Sequence, residues 1–341
     1  MADDPQTISD ESQDRTTTAN KTTRSLSGVG RRSFLQTVVA TGSVLGASGQ
    51  VIAKANKGGK HGSNGRNKTD RSAGFPPAGI TEWGPSVSLG NGAAQTFTTA
   101  TPSGKPKYHG LYLERDALEG LPSADDLATS GDSQYTDKYG SNGEALEIHH
   151  KWSQEFFIPF PSTDSTPFTF LGLNWNPNGH PPVWFDPHFD IHFNMLPMET
   201  VDAITGPVAP TYELPDRYIP SGFARSPAVD ERVISDMGEH MVDPTVPEMN
   251  GGEFTNTLIW GAADPNDDGI AELSFVEPMI TQSFLRDHSG VDRRSIAQPD
   301  SYARPANYPT EYTVRDVPND DAIVVTIENF VAADGDNRKQ S

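Results

Sequence analysis

The sequence contains no cysteine. This absence excludes disulfide bonds, thiolate metal ligands, a cysteine nucleophile and a lipid-modified cysteine behind an export signal. The chain also lacks a G-x-S-x-G nucleophile elbow and a phosphate-binding loop motif, so neither serine-hydrolase nor nucleotide chemistry is indicated. Stability must therefore come from packing, from a bound metal or from assembly.

Basic side chains are also scarce, with 26 Lys and Arg against 46 Asp and Glu and a formal charge of -20 at pH 7. Residues 1–79 hold 11 of the basic and 6 of the acidic residues, so residues 80–341 keep 15 basic and 40 acidic ones. This balance excludes nucleic acid as a partner, because phosphates need a basic surface. An acidic, lysine-poor surface is typical of halophilic proteins, since salt screens the mutual repulsion of the carboxylates.

Hydrophobic residues make up only 34% of the chain, whereas glycine and proline are frequent, at 31 and 28. This composition suits many short strands joined by turns better than long helices. We therefore predict an all-β fold, a single sandwich- or barrel-like domain of mostly antiparallel strands with one or two short helices. No internal repeat and no second composition class divides the chain.

Near the N-terminus, Arg31 and Arg32 precede Phe34, Leu35 and a mildly apolar stretch of small residues. The pattern is typical of a twin-arginine export signal, and the apolar stretch is too short and too mild for a lasting membrane span. Small residues around Lys54 suit cleavage. Without a cysteine for lipid attachment, we expect an extracellular protein with no stable membrane anchor.

Composition and pattern divide the chain into regions. We predict a disordered N-terminal region over 1–30, the signal peptide over 31–55, a disordered linker over 56–79, one β-rich domain over 80–333 and a disordered tail over 334–341. Inside the domain, the polar stretch 122–143 predicts a loop, and 145–161 predicts a strand. Hairpins are predicted for 254–278 and for 311–330.

The most informative segment is PHFDIHF, residues 187–193. Successive side chains of a strand point to opposite faces, so His188, Asp190 and His192 share one face, and the apolar residues between them share the other. Imidazole and carboxylate are ligands of zinc and of other divalent transition metals, and two histidines with one carboxylate form a known open site. The segment therefore predicts a polar triad backed by core.

A single ion does not readily bind both histidines, because they are about 13 Å apart in a straight strand. One of them together with Asp190 needs a further group from a neighbouring strand, and we nominate His240 and Glu277, the latter also as a general base. His180, in the loop sequence NGHPP, is a weaker candidate. The alternative is a metal-free polar layer in which carboxylate orients imidazole.

An acidic loop, DPNDDG at residues 264–269, matches the first half of a calcium-binding loop. The match fails at the position that requires a bidentate glutamate, which is Phe275 here, and the flanks have strand patterns. A hairpin turn is the better interpretation.

Several longer motifs resemble a family of secreted bacterial and archaeal proteins without an assigned activity. The resemblance covers about residues 86–331, and it is carried by ALEGLP (117–122), LNWNPNGHPP (173–182), PHFDIHF (187–193), MGEHMVDPTVPEMNG (237–251), FTNTLIWG (254–261) and FVEPMITQSFL (275–285). A structurally studied bacterial relative forms a large homo-oligomer, so the resemblance implies a homo-oligomer here. This chain differs in its acidity and in its polar segment 122–143.

Two functions remain in competition. The first is a secreted metalloprotein, with or without enzymatic activity, that holds a zinc-like ion with His188, Asp190, His192 and His240. The second is a non-catalytic envelope or small-ligand-binding protein with a metal-free polar layer. An open coordination position facing a cleft would distinguish the first from the second. The sequence names no substrate, and it leaves enzyme status open.

Overall fold

The computed structural model describes residues 74–130, 134–148 and 150–336. The predictions for residues 1–73, which cover the N-terminal region, the signal and most of the linker, lie outside the described residues, as do those for 337–341. Part of the predicted linker packs on the domain, because Phe75 contacts Phe97 and Tyr108 edge to face.

The predicted all-β fold is confirmed, and of the two predicted forms, sandwich or barrel, the two antiparallel sheets are consistent with a sandwich. The strands, in chain order, are β1 (Thr81–Leu89), β2 (Gly92–Ala100), β3 (Pro106–Glu114), β4 (Thr136–Asp137), β5 (Gly143–Ile148), β6 (Lys151–Pro159), β7 (Phe170–Asn176), β8 (His188–Asn194), β9 (Ala224–Arg225), β10 (Val233–Ile234), β11 (Gly238–Val242), β12 (Asn256–Ala263), β13 (Glu272–Thr281), β14 (Val291–Ser295), β15 (Ala306–Val317) and β16 (Ala322–Ala333).

The two sheets differ in size. The small sheet has six strands in the order β1-β2-β3-β16-β15-β14. The large sheet has ten strands, nine of them in the order β10-β11-β12-β13-β8-β7-β6-β5-β4, with β9 paired to β11. Strand β8 lies between β13 and β7, well inside the large sheet, so its backbone is hydrogen-bonded on both sides.

Helices are short in the described part of the chain. The α-helices are α1 (Ala124–Ser130), α2 (Met198–Val201) and α3 (Gln282–Asp287), and single 3-10 turns occur at Arg115–Leu118, Asp216–Tyr218, Val229–Glu231 and Pro247–Asn250. Three α-helices thus occur where one or two were predicted. No helix in the residues that the structure describes is long and apolar enough to cross a membrane.

The main core lies between the two sheets. Leu111 and Val325 of the small sheet and Leu173 and Ile191 of the large sheet belong to one buried cluster. The opposite face of the large sheet, called the outer face, carries a second and smaller cluster. Loops cover this face, because Trp184 from the segment between β7 and β8 and Phe254 from the segment before β12 pack into the second cluster.

The segment 122–143 is more structured than predicted. Helix α1 begins with a capping box, in which the Ser123 hydroxyl accepts from the backbone N–H of Asp126, and the Asp126 carboxylate accepts from the N–H of Ser123. The segment also delivers Lys138 to the large sheet, where its ammonium lies 2.7 Å from Asp236 and 3.3 Å from Glu155. These polar anchors, together with the fully buried side chain of Leu127 in α1, hold the segment against the domain.

Two further elements differ from the sequence-based expectation. Residues 145–161 form the hairpin β5–β6 and not one strand, and His150 in its turn has a left-handed φ of 60°. Strand β14 at the edge of the small sheet was not predicted, because its sequence VDRRS is polar after Val291 and provides no apolar face. The predicted hairpins β12–β13 and β15–β16 are confirmed.

Candidate metal centres

Strand β8 sends its polar side chains to the outer face of the large sheet. His188, Asp190 and His192 are at most 4% exposed. The apolar residues that alternate with them are fully buried in the main core: Phe189, Ile191 and Phe193. Burial of each such apolar side chain contributes about 1.5–3 kcal/mol, so the core holds β8 in the register that presents the polar face.

Centre 1 consists of His180, His188 and Asp190, whose ligand-type atoms lie within 4.8 Å of one another. Nε2 of His188 lies 3.1 Å from Oδ1 of Asp190, and Nε2 of His180 lies 3.5 Å from Oδ2 of the same carboxylate. His180 comes from the loop between β7 and β8, where its N–H donates to the carbonyl oxygen of Trp184. Asn176 donates to Oδ2 of Asp190 at 2.8 Å and orients the carboxylate.

Centre 2 consists of His192, His240 and Glu277, again within 4.8 Å of one another. Oε2 of Glu277 lies 3.5 Å from Nε2 of His192 and 3.7 Å from Nε2 of His240. The three side chains come from β8, β11 and β13. The β8–β13 pairing, which aligns Val276 with Phe193 and Met279 with Asp190, places Glu277 beside His192.

The spacing within both centres suits an ion. Three of the four nitrogen-to-oxygen separations are 3.5 Å or longer, beyond the upper range of about 3.2 Å for an N–H···O hydrogen bond. Two atoms that each lie about 2.1 Å from one zinc ion, at a tetrahedral angle, are about 3.4 Å apart. These three pairs thus stand at the separations of ligands, whereas His188 and Asp190, at 3.1 Å, stand at a separation that also suits a hydrogen bond.

Four ligand-type atoms of the two centres are buried without a hydrogen bond of good geometry in the described part of the chain, although two of them, on His188 and Asp190, face each other at 3.1 Å. They are Nε2 of His188, Oδ1 of Asp190, Nε2 of His192 and Oε2 of Glu277. Buried polar atoms normally have partners, and leaving one unsatisfied costs about 1–3 kcal/mol. A cation in each centre would interact favourably with the two such atoms of that centre.

The backbone orients the imidazoles. In three of them Nδ1 faces a backbone carbonyl oxygen. His180 faces that of Pro181 at 2.9 Å, His188 faces that of Asp186 at 2.6 Å, and His240 faces that of Gly238 at 3.2 Å. His192 hydrogen-bonds the backbone of Gly172, and since its Nε2 has no such bond, Nδ1 is the donor. A carbonyl oxygen only accepts, so each Nδ1 carries a proton, and Nε2 is the ring atom that each histidine turns toward its centre. Metal-ligating histidines have this arrangement.

Asp190 is the stable anion of centre 1. Burial alone would raise its pKa, but attraction to the nearby imidazoles of His188 and His180 outweighs burial and holds the pKa of Asp190 well below its usual range. Burial lowers the pKa of His180, whereas Asp190 raises it, and the net shift is upward. An ionised carboxylate therefore persists at neutral pH, as a cation site requires.

Centre 2 has a different electrostatic balance. Burial lowers the pKa of His192 to about 4, so its ring is neutral at physiological pH. Burial, together with the charge of Asp190, raises the pKa of Glu277 well above its usual range. A divalent cation beside Glu277 would favour the ionised carboxylate and offset the cost of its burial.

Phe275 and Gly261 position the histidines of centre 2. The ring of Phe275 contacts His192 and His240 edge to face, with centroid distances of 4.8 and 5.1 Å. Gly261 of β12 is paired with His240 of β11 on one side and with Phe275 of β13 on the other. A Cβ atom at Gly261 would collide with the Phe275 ring, so the absence of a side chain at Gly261 lets the ring lie against the two histidines.

A cavity of about 190 Å³ opens on both centres. His180 and Asp190 of centre 1 and His240 and Glu277 of centre 2 border it. The remaining lining is mostly apolar and includes Ile148, Trp184, Ile234, Met237, Met249 and Met279. Both centres thus have a side that faces open space and not protein.

The structure divides the residues predicted as one metal set. His188 and Asp190 lie in centre 1, whereas His192 and His240 lie in centre 2 with Glu277. The expected separation of His188 from His192 along the strand is the reason. His240 and Glu277, nominated to complete a site with Asp190 and one of the two histidines, lie beside His192 and not in the group of Asp190. The third member of that group is His180, the weaker candidate from the loop sequence NGHPP.

The acidic loop after β12 is the hairpin connection that the sequence favoured. The carboxylate of Asp264 accepts hydrogen bonds from the N–H groups of Asn266, Asp268 and Gly269. These bonds close the turn, and the carboxylate is thereby engaged by the backbone.

No family model matches the sequence, and comparisons with characterised proteins and with solved structures also found no match.

Proposed function

We propose that this protein binds divalent transition-metal ions, zinc or a similar metal, at centre 1 and centre 2. The observation that carries the proposal is the set of four buried, unpartnered ligand atoms within two groups of two histidines and one carboxylate. Two histidines with one carboxylate bind zinc in hydrolytic enzymes and iron(II) in oxygenases.

Each centre offers three protein ligands, so a bound ion would keep at least one coordination position for water or for another ligand. Because both centres border the cavity, that position would be accessible from it. Glu277 acts in this proposal as a ligand of centre 2, since its Oε2 is close to both histidines. A water bound to zinc would have its pKa lowered to about 7 and could serve as a nucleophile.

The competing function is a non-catalytic envelope or small-ligand-binding protein with a metal-free polar layer. The attraction between His180 and Asp190, which shifts both pKa values, favours this alternative for centre 1. It leaves the geometry of centre 2 without an explanation, because a neutral His192 and a protonated Glu277 would hydrogen-bond more closely than 3.5 Å.

Elemental analysis of the untagged protein, purified in its native salt, tests the proposal. We expect about two metal ions per chain, about one in His192→Ala and in His188→Ala, and none in the double variant. The control is His150→Asn, because the His150 side chain is 98% exposed and outside both centres, and asparagine tolerates its left-handed backbone. Wild-type protein without metal, including after incubation with zinc, would refute the proposal.

We further propose that the protein acts outside the cell, as the paired arginines near the N-terminus predict. The twin-arginine route exports folded cargo, so the ions would be bound before export. Metal content of the exported protein that is independent of metal in the medium would support this order of events, and loading only after export would contradict it.

A further inference from the structure

The cavity beside the two centres has the character of a binding site for a small ligand. Its polar floor consists of metal-ligand residues, whereas its walls are formed by aliphatic, aromatic and methionine side chains. Met237, Met249 and Met279 contribute to the walls, and methionine adapts its shape to different apolar ligands. The exposed lining residues Pro181 and Pro227 mark the mouth.

The volume limits the size of the ligand. A protein cavity of about 150 Å³ with apolar walls accommodates benzene, and this cavity measures about 190 Å³. A body the size of one six-membered ring with a few further atoms therefore fits. A sugar or a nucleotide would find too few hydrogen-bonding groups on these walls to replace its water.

The net charge of the two centres determines which polar head group a ligand should carry. A divalent ion in centre 1 is neutralised in part by the one carboxylate of Asp190, and an ion in centre 2 by that of Glu277, so each centre retains a net charge of about +1. Uncompensated positive charge beside apolar walls is costly. On the wall, the opposite charges of Glu231 and Arg232 leave little net charge. An anionic head group is therefore the complement of the floor.

We propose that the cavity binds a small carboxylate with an apolar ring-sized body, whose carboxylate coordinates the ion of one centre and whose body packs against the methionine-rich walls. The proposal rests on metal binding at the two centres. It assigns the substrate or ligand class of the site, namely small hydrophobic carboxylic acids.

Benzoate is a suitable probe, and cobalt(II) in the centres gives a visible spectrum that responds to a new ligand. In native salt, we expect benzoate to change this spectrum and to bind at least about 10-fold more tightly than acetate, because the ring is buried. Benzyl alcohol, which has the ring but no charge, should bind at least about 10-fold more weakly than benzoate. Equal binding of benzoate and acetate, or of benzoate and benzyl alcohol, would overturn the proposal.

Met249→Trp tests the position of the ring, since Met249 is only partly buried and a larger side chain would fill the cavity. We expect this variant to keep about two cobalt ions per chain and to bind benzoate at least about 10-fold more weakly. The matched control is Met249→Leu, which conserves volume and should bind as wild type does. Unchanged benzoate binding in Met249→Trp would refute the proposed pocket.

Metal content separates the two proposals. If wild type holds no cobalt, metal binding itself fails, and the ligand proposal fails with it. If about two ions are bound but benzoate gains nothing over acetate, the ligand proposal alone is overturned.

Discussion

Removal of metal should destabilise the fold by an amount that follows from the unpartnered atoms. Each centre contains two buried ligand atoms without a hydrogen-bond partner, and each such atom costs about 1–3 kcal/mol. An ion-free centre therefore loses about 4 kcal/mol, near the middle of this range. An ion present at about 1,000 times its dissociation constant supplies a similar stabilisation of about 4.1 kcal/mol.

For a domain of this size, 1 kcal/mol corresponds to about 2–4 °C in Tm. A strong chelator should therefore lower the Tm of wild type by about 8–16 °C for each emptied centre. The assay is thermal unfolding followed by circular dichroism in native salt, with zinc added back to restore the Tm. His192→Ala should respond about half as much as wild type, and His150→Asn should respond as wild type does. A chelated protein shown to be metal-free, yet with an unchanged Tm, would refute this reasoning.

Three further changes test other parts of the structure. Burial lowers the pKa of His109 to about 3 in the folded protein. In the unfolded chain the same imidazole binds a proton near pH 6.5. The free energy of unfolding should therefore fall by about 5 kcal/mol as the pH drops from 6.5 to 3. Urea unfolding at several pH values should show a flatter acid limb in His109→Gln, and an equally steep limb would contradict the assignment. Gly261→Ala should displace the Phe275 ring and reduce metal content to about one ion per chain. An unchanged metal content would show that this position of Phe275 is not required. Lys138→Met leaves buried Glu155 without its counter-ion and should cost about 3–5 kcal/mol in denaturant unfolding; a loss below about 1 kcal/mol would show that the ion pair is not required.

The alternating segment of β8 was predictable because its signal is local. A period of two in polarity over seven residues fixes both the strand and the side of the sheet to which each residue points. The pattern also implied that His188 and His192 are too far apart for one ion. The prediction of a sandwich- or barrel-like β domain followed from composition and turn residues in the same local way.

The assignment of partners to the two centres was beyond the sequence. His240 belongs to β11, which reaches β8 only through β12 and β13, and no local pattern encodes that strand order. His180 depends on the path of a loop. The cavity walls come from segments as distant as Ile148 and Met279, so only the assembled fold brings them together.

Helix α1 illustrates the opposite case, in which a local signal was present. Ser123 followed by Asp126 matches a capping box, but the surrounding residues have few apolar side chains. Polarity in that segment reflects solvent exposure along one side of a short helix and did not exclude structure.

The origin of the ligands predicts different residence times for ions bound at the two proposed centres. All three side chains of centre 2 extend from hydrogen-bonded strands, whereas His180 of centre 1 is carried by a loop. Loops open far more often than interior strands of a sheet, which part only in larger unfolding events. We therefore expect metal release to be biphasic, with a labile ion that a competing chelator captures quickly and a retained ion that leaves slowly. One chain would then combine a permanent metal with an exchangeable one.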